Sequence, residues 1–140
     1  MKFIKKIIFY RNIYLIFRIL YYQFLLTTAG GRRAFALLKD QKIYSNSKMT
    51  RETIDRYVMF GLRIGAMFGL LNSCLTRSVI LCRLYRENGI PARVAFGLTK
   101  GNGKLNGHCW LVCDENSAPS QPEAFHSTVI YPENNHKQTG

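Results

Sequence analysis

The sequence is short of acid: 8 Asp and Glu stand against 20 Lys and Arg, for a net charge of +12 over 140 residues. It also lacks any CxxC pair. Its 4 cysteines fall at positions 74, 82, 109 and 113, without the even spacing of a disulfide framework. That excludes the cysteine-stapled class and fits a reducing compartment. No internal repeat is visible, and no helix-turn-helix, RNP-like or zinc-finger pattern accompanies the positive charge, which is scattered over every helical segment. Nucleic acid is therefore not an expected partner.

A membrane-spanning run is missing as well. The longest charge-free apolar stretch, Ile19 to Gly31, falls short of the ~18 residues a span needs. Arg11 and Arg18 also break the apolar core that a secretory signal would need after its MKFIKK start. A cytoplasmic protein is expected, with membrane association through the N-terminal helix as a further expectation.

What is present is a folded composition, with 47% hydrophobic and 20% charged residues. At this length one domain is expected. The charge is uneven: residues 1–40 carry +7, 41–73 carry +3, 74–104 carry +5 and 105–140 carry −3. A basic body with an acidic tail suggests an anionic partner, such as a membrane surface or an acidic peptide.

Residues 1–28 read as one apolar helix, with Arg11 and Arg18 on a shared face and Lys5, Asn12 and Gln23 near the opposite one. It would either pack on the core with its arginines snorkelling or lie on a membrane surface. Gly30-Gly31 is expected to stop it, with Arg32–Leu38 a short second helix. Gln41–Lys48 reads as a loop. Thr50 is a candidate N-cap for a helix over Arg51–Leu70, whose Gly61, Gly65 and Gly69 recur on one face and predict close approach of a neighbouring helix. Asn72-Ser73 caps a further helix, Cys74–Glu87, which Asn88-Gly89 ends and Ile90-Pro91 keeps from resuming. Cys74, Ser78, Leu81 and Tyr85 share one stripe of it.

The pattern then changes period. Ala92–Leu98 and His108–Cys113 are strand-like, joined by the turn-rich Thr99–Gly107, and Phe125–Tyr131 is a third strand candidate. Alternation puts His108, Trp110 and Val112 on one face of the second strand, and Cys109, Leu111 and Cys113 on the other.

Two residues stand out chemically. Cys74 is predicted in the first turn of its helix, where free N–H groups and the helix dipole favour an anion, the form a cysteine nucleophile uses. Arg77 adds positive charge one turn on. His108 opens a strand after a Gly-rich turn, where it can face that helix end as a base. The bland alternative is that all four cysteines are packing residues, as Cys82, Cys109 and Cys113 are read here. No pair of Cys and His has common zinc-ligand spacing, so no metal is expected.

The stretch SCLTRSVILCRLYRENGIPARVAFGLTK followed by GHCWLV resembles the leader peptidases of lasso-peptide biosynthesis, which are transglutaminase-like, papain-like cysteine peptidases. The matching motifs are Cys74-Leu75-Thr76-Arg77, Gly89-Ile90-Pro91-Ala92, Gly97-Leu98 and His108-Cys109-Trp110, over residues 70–114. The family has His-Ala-Trp where this chain has Cys109 in the middle. The resemblance implies an α+β fold, N-terminal helices followed by a core in which a cysteine-bearing helix packs on a small antiparallel sheet. Residues 1–48 would be the helical segment and 49–140 the peptidase core of one domain. It further implies Cys74 as nucleophile and His108 as general base and acid, with Arg77 and Trp110 supporting the site. The third catalytic residue, an Asp in the family, has no direct counterpart; Glu123 is the first candidate and Asp114 the alternative.

The implied activity is removal of the leader from a ribosomally made precursor peptide, without a cofactor. The expected partners are that precursor, a separate leader-recognition protein and an ATP-dependent macrolactam cyclase; the 140 residues leave no room for a recognition module of the chain's own. The competing expectations are a non-catalytic membrane-associated or scaffolding member, and acyl transfer to an amine in place of hydrolysis.

Overall fold

The computed structural model describes residues 2–39, 49–113 and 126–131. Among the described residues, three helices precede three strands: α1 (Lys2–Lys39), α2 (Arg51–Met67), α3 (Cys74–Glu87), β1 (Arg93–Gly101), β2 (Lys104–Val112) and β3 (His126–Tyr131). The strands form one antiparallel sheet in the order β2-β1-β3. The fold is α+β, with the cysteine-bearing helix α3 packed on β1 and β2.

α1 is one helix of 38 residues, not two. It runs through Gly30-Gly31 because Ala34 and Leu38 beyond them are buried at 1% and 0% exposure. Two interior glycines cost about 1 kcal/mol each relative to alanine. Burying the next two turns against α3 offsets that. Its core face carries Leu15, Ile19, Tyr22 and Leu26, all buried.

α2 fits against α1 through its glycines. A Cβ on Gly61 would come within 2.7 Å of Ile19 Cγ2, and one on Gly65 would overlap the Gln23 side chain. The expected close approach is therefore between α1 and α2, with Ile19 and Gln23 seated one turn apart on the two glycines. Thr50 caps α2, its hydroxyl accepting from Thr53 N–H. The helix ends three residues before the expected Leu70, because Gly69 takes φ +79° and the Leu70 N–H turns back to the Gly65 carbonyl at 3.0 Å.

The α1–α3 contact is polar at its rim. Arg18 donates to Glu87 at 2.6 Å and to Tyr22 Oη at 3.0 Å. Arg83 donates to the same tyrosine at 2.9 Å, to Glu87 at 3.2 Å and to the Leu37 carbonyl at 3.1 Å. Arg18 is half-buried by this network, and although burial alone would lower its pKa, its bonds to Tyr22 and Glu87 hold the guanidinium above its ordinary value. It is thus fixed in an interface between helices, while Arg11 stays exposed.

The expected turn over Thr99–Gly107 is mostly strand. β1 and β2 run on to a two-residue hairpin at Asn102-Gly103, with φ of 51° and 75°. Both central residues in the left-handed region suit the right-handed twist of the flanking strands, which is why Asn-Gly tolerates so tight a turn. Gln41–Lys48 lies outside the described residues.

Candidate active site

α3 begins at Cys74, as the sequence predicts. Ser73 is its N-cap, with φ −91° and ψ 164°, and its hydroxyl accepts from the Thr76 N–H at 3.2 Å. The Arg77 N–H goes to the Ser73 carbonyl at 3.0 Å. These bonds fix Cys74 as the first residue of the helix, with its side chain exposed.

The segment that delivers Cys74 is tied down from α1. Gln23, wholly buried, donates to the Leu62 carbonyl at 3.3 Å and to the Leu71 carbonyl at 3.1 Å. Thr27 Oγ1 accepts from the Leu71 N–H at 2.9 Å. Leu71, the residue before the Asn72-Ser73 cap, is thereby held to the first helix through both its carbonyl and its N–H.

β2 supplies the other half of the site. It is an edge strand, and its register sets His108 opposite Gly97 and Cys109 opposite Phe96. Cys109 points into the core, with Leu111 and Cys113 packed against the same cluster. His108 and Trp110 share the other face; their rings stack with centroids 6.1 Å apart and planes at 24°. Both groupings follow the predicted alternation.

Helix end and strand meet around a cavity of about 540 Å³. Cys74, Arg77, His108 and Trp110 all border it, so the four described site residues that the sequence predicts are brought to one place. Ser78 and Leu81, from the Cys74 stripe, line it too. The volume falls in the range of small-molecule sites. The Trp110 indole N–H is buried and has no acceptor among the described residues. Glu123 and Asp114, the two candidates for a third catalytic residue, lie outside the described residues.

Sequence reasoning missed Cys109. Read as packing, it is indeed buried, at 5% exposure, yet it also lines the cavity that Cys74 borders. Burial first, then the influence of Cys74, pushes the Cys109 thiol up to about 12. It is therefore a neutral thiol at physiological pH. Ser78 bonds the same residue from α3, its hydroxyl donating to the Cys109 carbonyl at 3.5 Å. Only the departure from alanine in the His-Ala-Trp motif could have drawn attention to it. Cys82, by contrast, is a core thiol whose burial pushes it up to about 12 and whose Sγ donates to the Ala92 carbonyl at 3.4 Å.

Comparison with protein families matches residues 19–129 to the transglutaminase-like superfamily. The match covers helix α1 from its buried Ile19 onward, the cysteine helix and the histidine strand, and reaches into β3.

The chain belongs to the transglutaminase-like superfamily.

This superfamily commonly has cysteine-peptidase-like chemistry, in keeping with a cysteine at a helix start and a histidine on the adjoining sheet. Neither the curated proteins nor the solved structures contain a match to this chain. Among the described residues, no helix of this transglutaminase-like chain is long and apolar enough to cross a membrane.

Proposed function

We propose that this protein is a cysteine peptidase that removes the leader from a precursor peptide of the lasso class. The observation that carries the reading is the meeting of Cys74, first residue of α3, and His108 at a single cavity. The motif order around both residues supports the finer assignment. In this mechanism the Cys74 thiolate attacks the scissile carbonyl carbon. The N–H groups of Cys74 and Leu75, which the Ser73 cap leaves unused, receive the oxyanion. His108 protonates the leaving amine, and the amide C–N bond breaks to leave a thioester. Water, deprotonated by His108, then releases the acid and restores the thiol. Glu123, or Asp114 in its stead, orients the imidazole. Capture of the thioester by an amine would give transfer instead.

The proposed partners are the precursor, a separate leader-recognition protein and a macrolactam cyclase. Reconstitution of the four components, with leader release followed by mass spectrometry, tests the reading. Wild-type chain is expected to release the leader and Cys74→Ala to release none. Release at the wild-type rate by Cys74→Ala would refute it.

We further propose that the protein works at an anionic membrane surface through α1. Tyr10, Tyr14, Phe17, Tyr21 and Phe24 are each more than half exposed. Their spacing of four and three residues puts them on one helix face, away from Leu15, Ile19, Tyr22 and Leu26. α1 contains eight Lys and Arg and no Asp or Glu. A second copy of so basic a helix is a poor occupant of that face, whereas anionic lipid satisfies both the charge and the aromatic rings.

A further inference from the structure

Cys109 is a buried nucleophile that the peptidase mechanism does not use. Its position is the one the resembled motif fills with alanine, so packing alone does not call for sulfur there. Two observations join it to Cys74: both residues border the same cavity, and α3 is fastened to β2 at this point by the bond from Ser78, one turn after Cys74, to the Cys109 carbonyl. Their exposures are opposite. Cys74 is exposed and Cys109 is 5% accessible.

We propose that Cys74 and Cys109 form a redox pair: a hydroperoxide oxidises Cys74, and Cys109 resolves the product as an intrachain disulfide that reversibly withdraws the nucleophile. In the first step the Cys74 sulfur attacks the outer oxygen of the hydroperoxide. The O–O bond breaks, the alkoxide leaves and takes up the thiol's proton as an alcohol (water, for hydrogen peroxide), and Cys74 becomes a sulfenic acid. In the second, the Cys109 sulfur attacks the Cys74 sulfur. The S–O bond breaks, and hydroxide leaves with the Cys109 proton as water. Two thiols are oxidised by two electrons and one hydroperoxide is reduced. A dithiol reductant reverses the result by exchange.

Accessibility sets the order of events. Oxidant reaches the exposed sulfur first, and Cys109 is shielded from it by burial. Position then sets the outcome. The resolving thiol borders the same cavity as Cys74, on the strand to which the Cys74 helix is fastened. Cys82 and Cys113 are not among the cavity-lining residues. The pair thus guards Cys74 against passage to the irreversible sulfinic acid.

The chemical part stands without the peptidase reading; the loss of activity rests on it. The test treats the whole reduced chain with hydrogen peroxide and follows mass and peptide linkage. The expected product has lost two hydrogens, joins the Cys74 and Cys109 peptides, and returns to the dithiol with dithiothreitol. In Cys109→Ala, Cys74 is expected to be trapped as the sulfenic acid when dimedone is present, and to gain a second oxygen irreversibly when it is absent. Cys82→Ala is expected to form the same linkage as wild type. The proposal is overturned if wild-type Cys74 reaches the sulfinic acid as fast as in Cys109→Ala, or if Cys74 links to Cys82, to Cys113 or to a second chain instead. Formation of the linkage in a reduced chain without peptidase activity would uphold the pair and refute the peptidase; activity without the linkage would do the reverse.

Discussion

Gln23 of α1 lies against the bare Cα of Gly65 in α2, so closely that a methyl group at position 65 would occupy its side-chain amide. Gly65→Ala should therefore destabilise the protein, although alanine is the better helix former by about 1 kcal/mol. Displacing Gln23 breaks its bonds to the Leu62 and Leu71 carbonyls within a buried interface. A net loss of about 2 kcal/mol is expected, from overpacking and unsatisfied polar groups combined. Urea midpoints at unchanged m-value measure it. A neutral or stabilising result would mean that the helices are not seated as described.

Ser73→Ala removes the hydroxyl that accepts from the Thr76 N–H. Loss of an N-cap costs about 1 kcal/mol. Because the capped turn is also the one that carries Cys74, turnover of precursor should fall by more than the stability change explains. Ser73→Asp should restore stability, since Asp caps as well as Ser. Thermal melts and leader release, measured on the same samples, separate the two effects.

The cysteines should differ in alkylation rate. Cys74 is exposed and should react first with iodoacetamide, whereas Cys82 and Cys109 are buried and both pushed up to about 12. The same shift gives an alkaline liability. An unfolded thiol ionises near 8.5, whereas the folded Cys82 keeps its proton to about 12. Stability that is complete below the unfolded value is therefore lost as pH rises between the two. Each such thiol contributes a slope of about 1.4 kcal/mol per pH unit in that window. Cys82→Ala should show a shallower decline above pH ~9 than wild type in chemical denaturation.

On vesicles of anionic lipid, the chain should bind through the face bearing Tyr14, Phe17 and Tyr21. Replacing these three with serine should weaken co-sedimentation at least tenfold, a change of about 1.4 kcal/mol. Part of the wild-type binding should survive high salt, since buried rings are not screened as charges are. Equal binding by wild type and the triple variant would dismiss the face as a lipid contact.

Local signals made α3 legible. A serine cap before it and Asn-Gly, then Ile-Pro, after it bracket Cys74–Glu87 at both ends. The facing of His108 and Trp110 was legible for the same reason, since alternation is a property of one strand. What could not be read depends on distant parts of the chain. Gly30-Gly31 looks like a stop until Ala34 and Leu38 are seen to be buried. Gln23 looks like a surface amide, yet it is a core residue whose acceptors lie 39 and 48 positions away. Cys109 looks like filler because the cavity it shares with Cys74 is assembled between strand and helix.

The Leu71 backbone, held by Gln23 and Thr27 on both its carbonyl and its N–H, joins the nucleophile's approach to α1. At 1.5 Å per residue, the 38 residues of that helix make a rod of roughly 57 Å. Its attachment to the segment before Cys74 lies nearer the far end than the start. One element thus does two things: its inward side holds the turn that aims the sulfur, and its outward side carries the aromatic face.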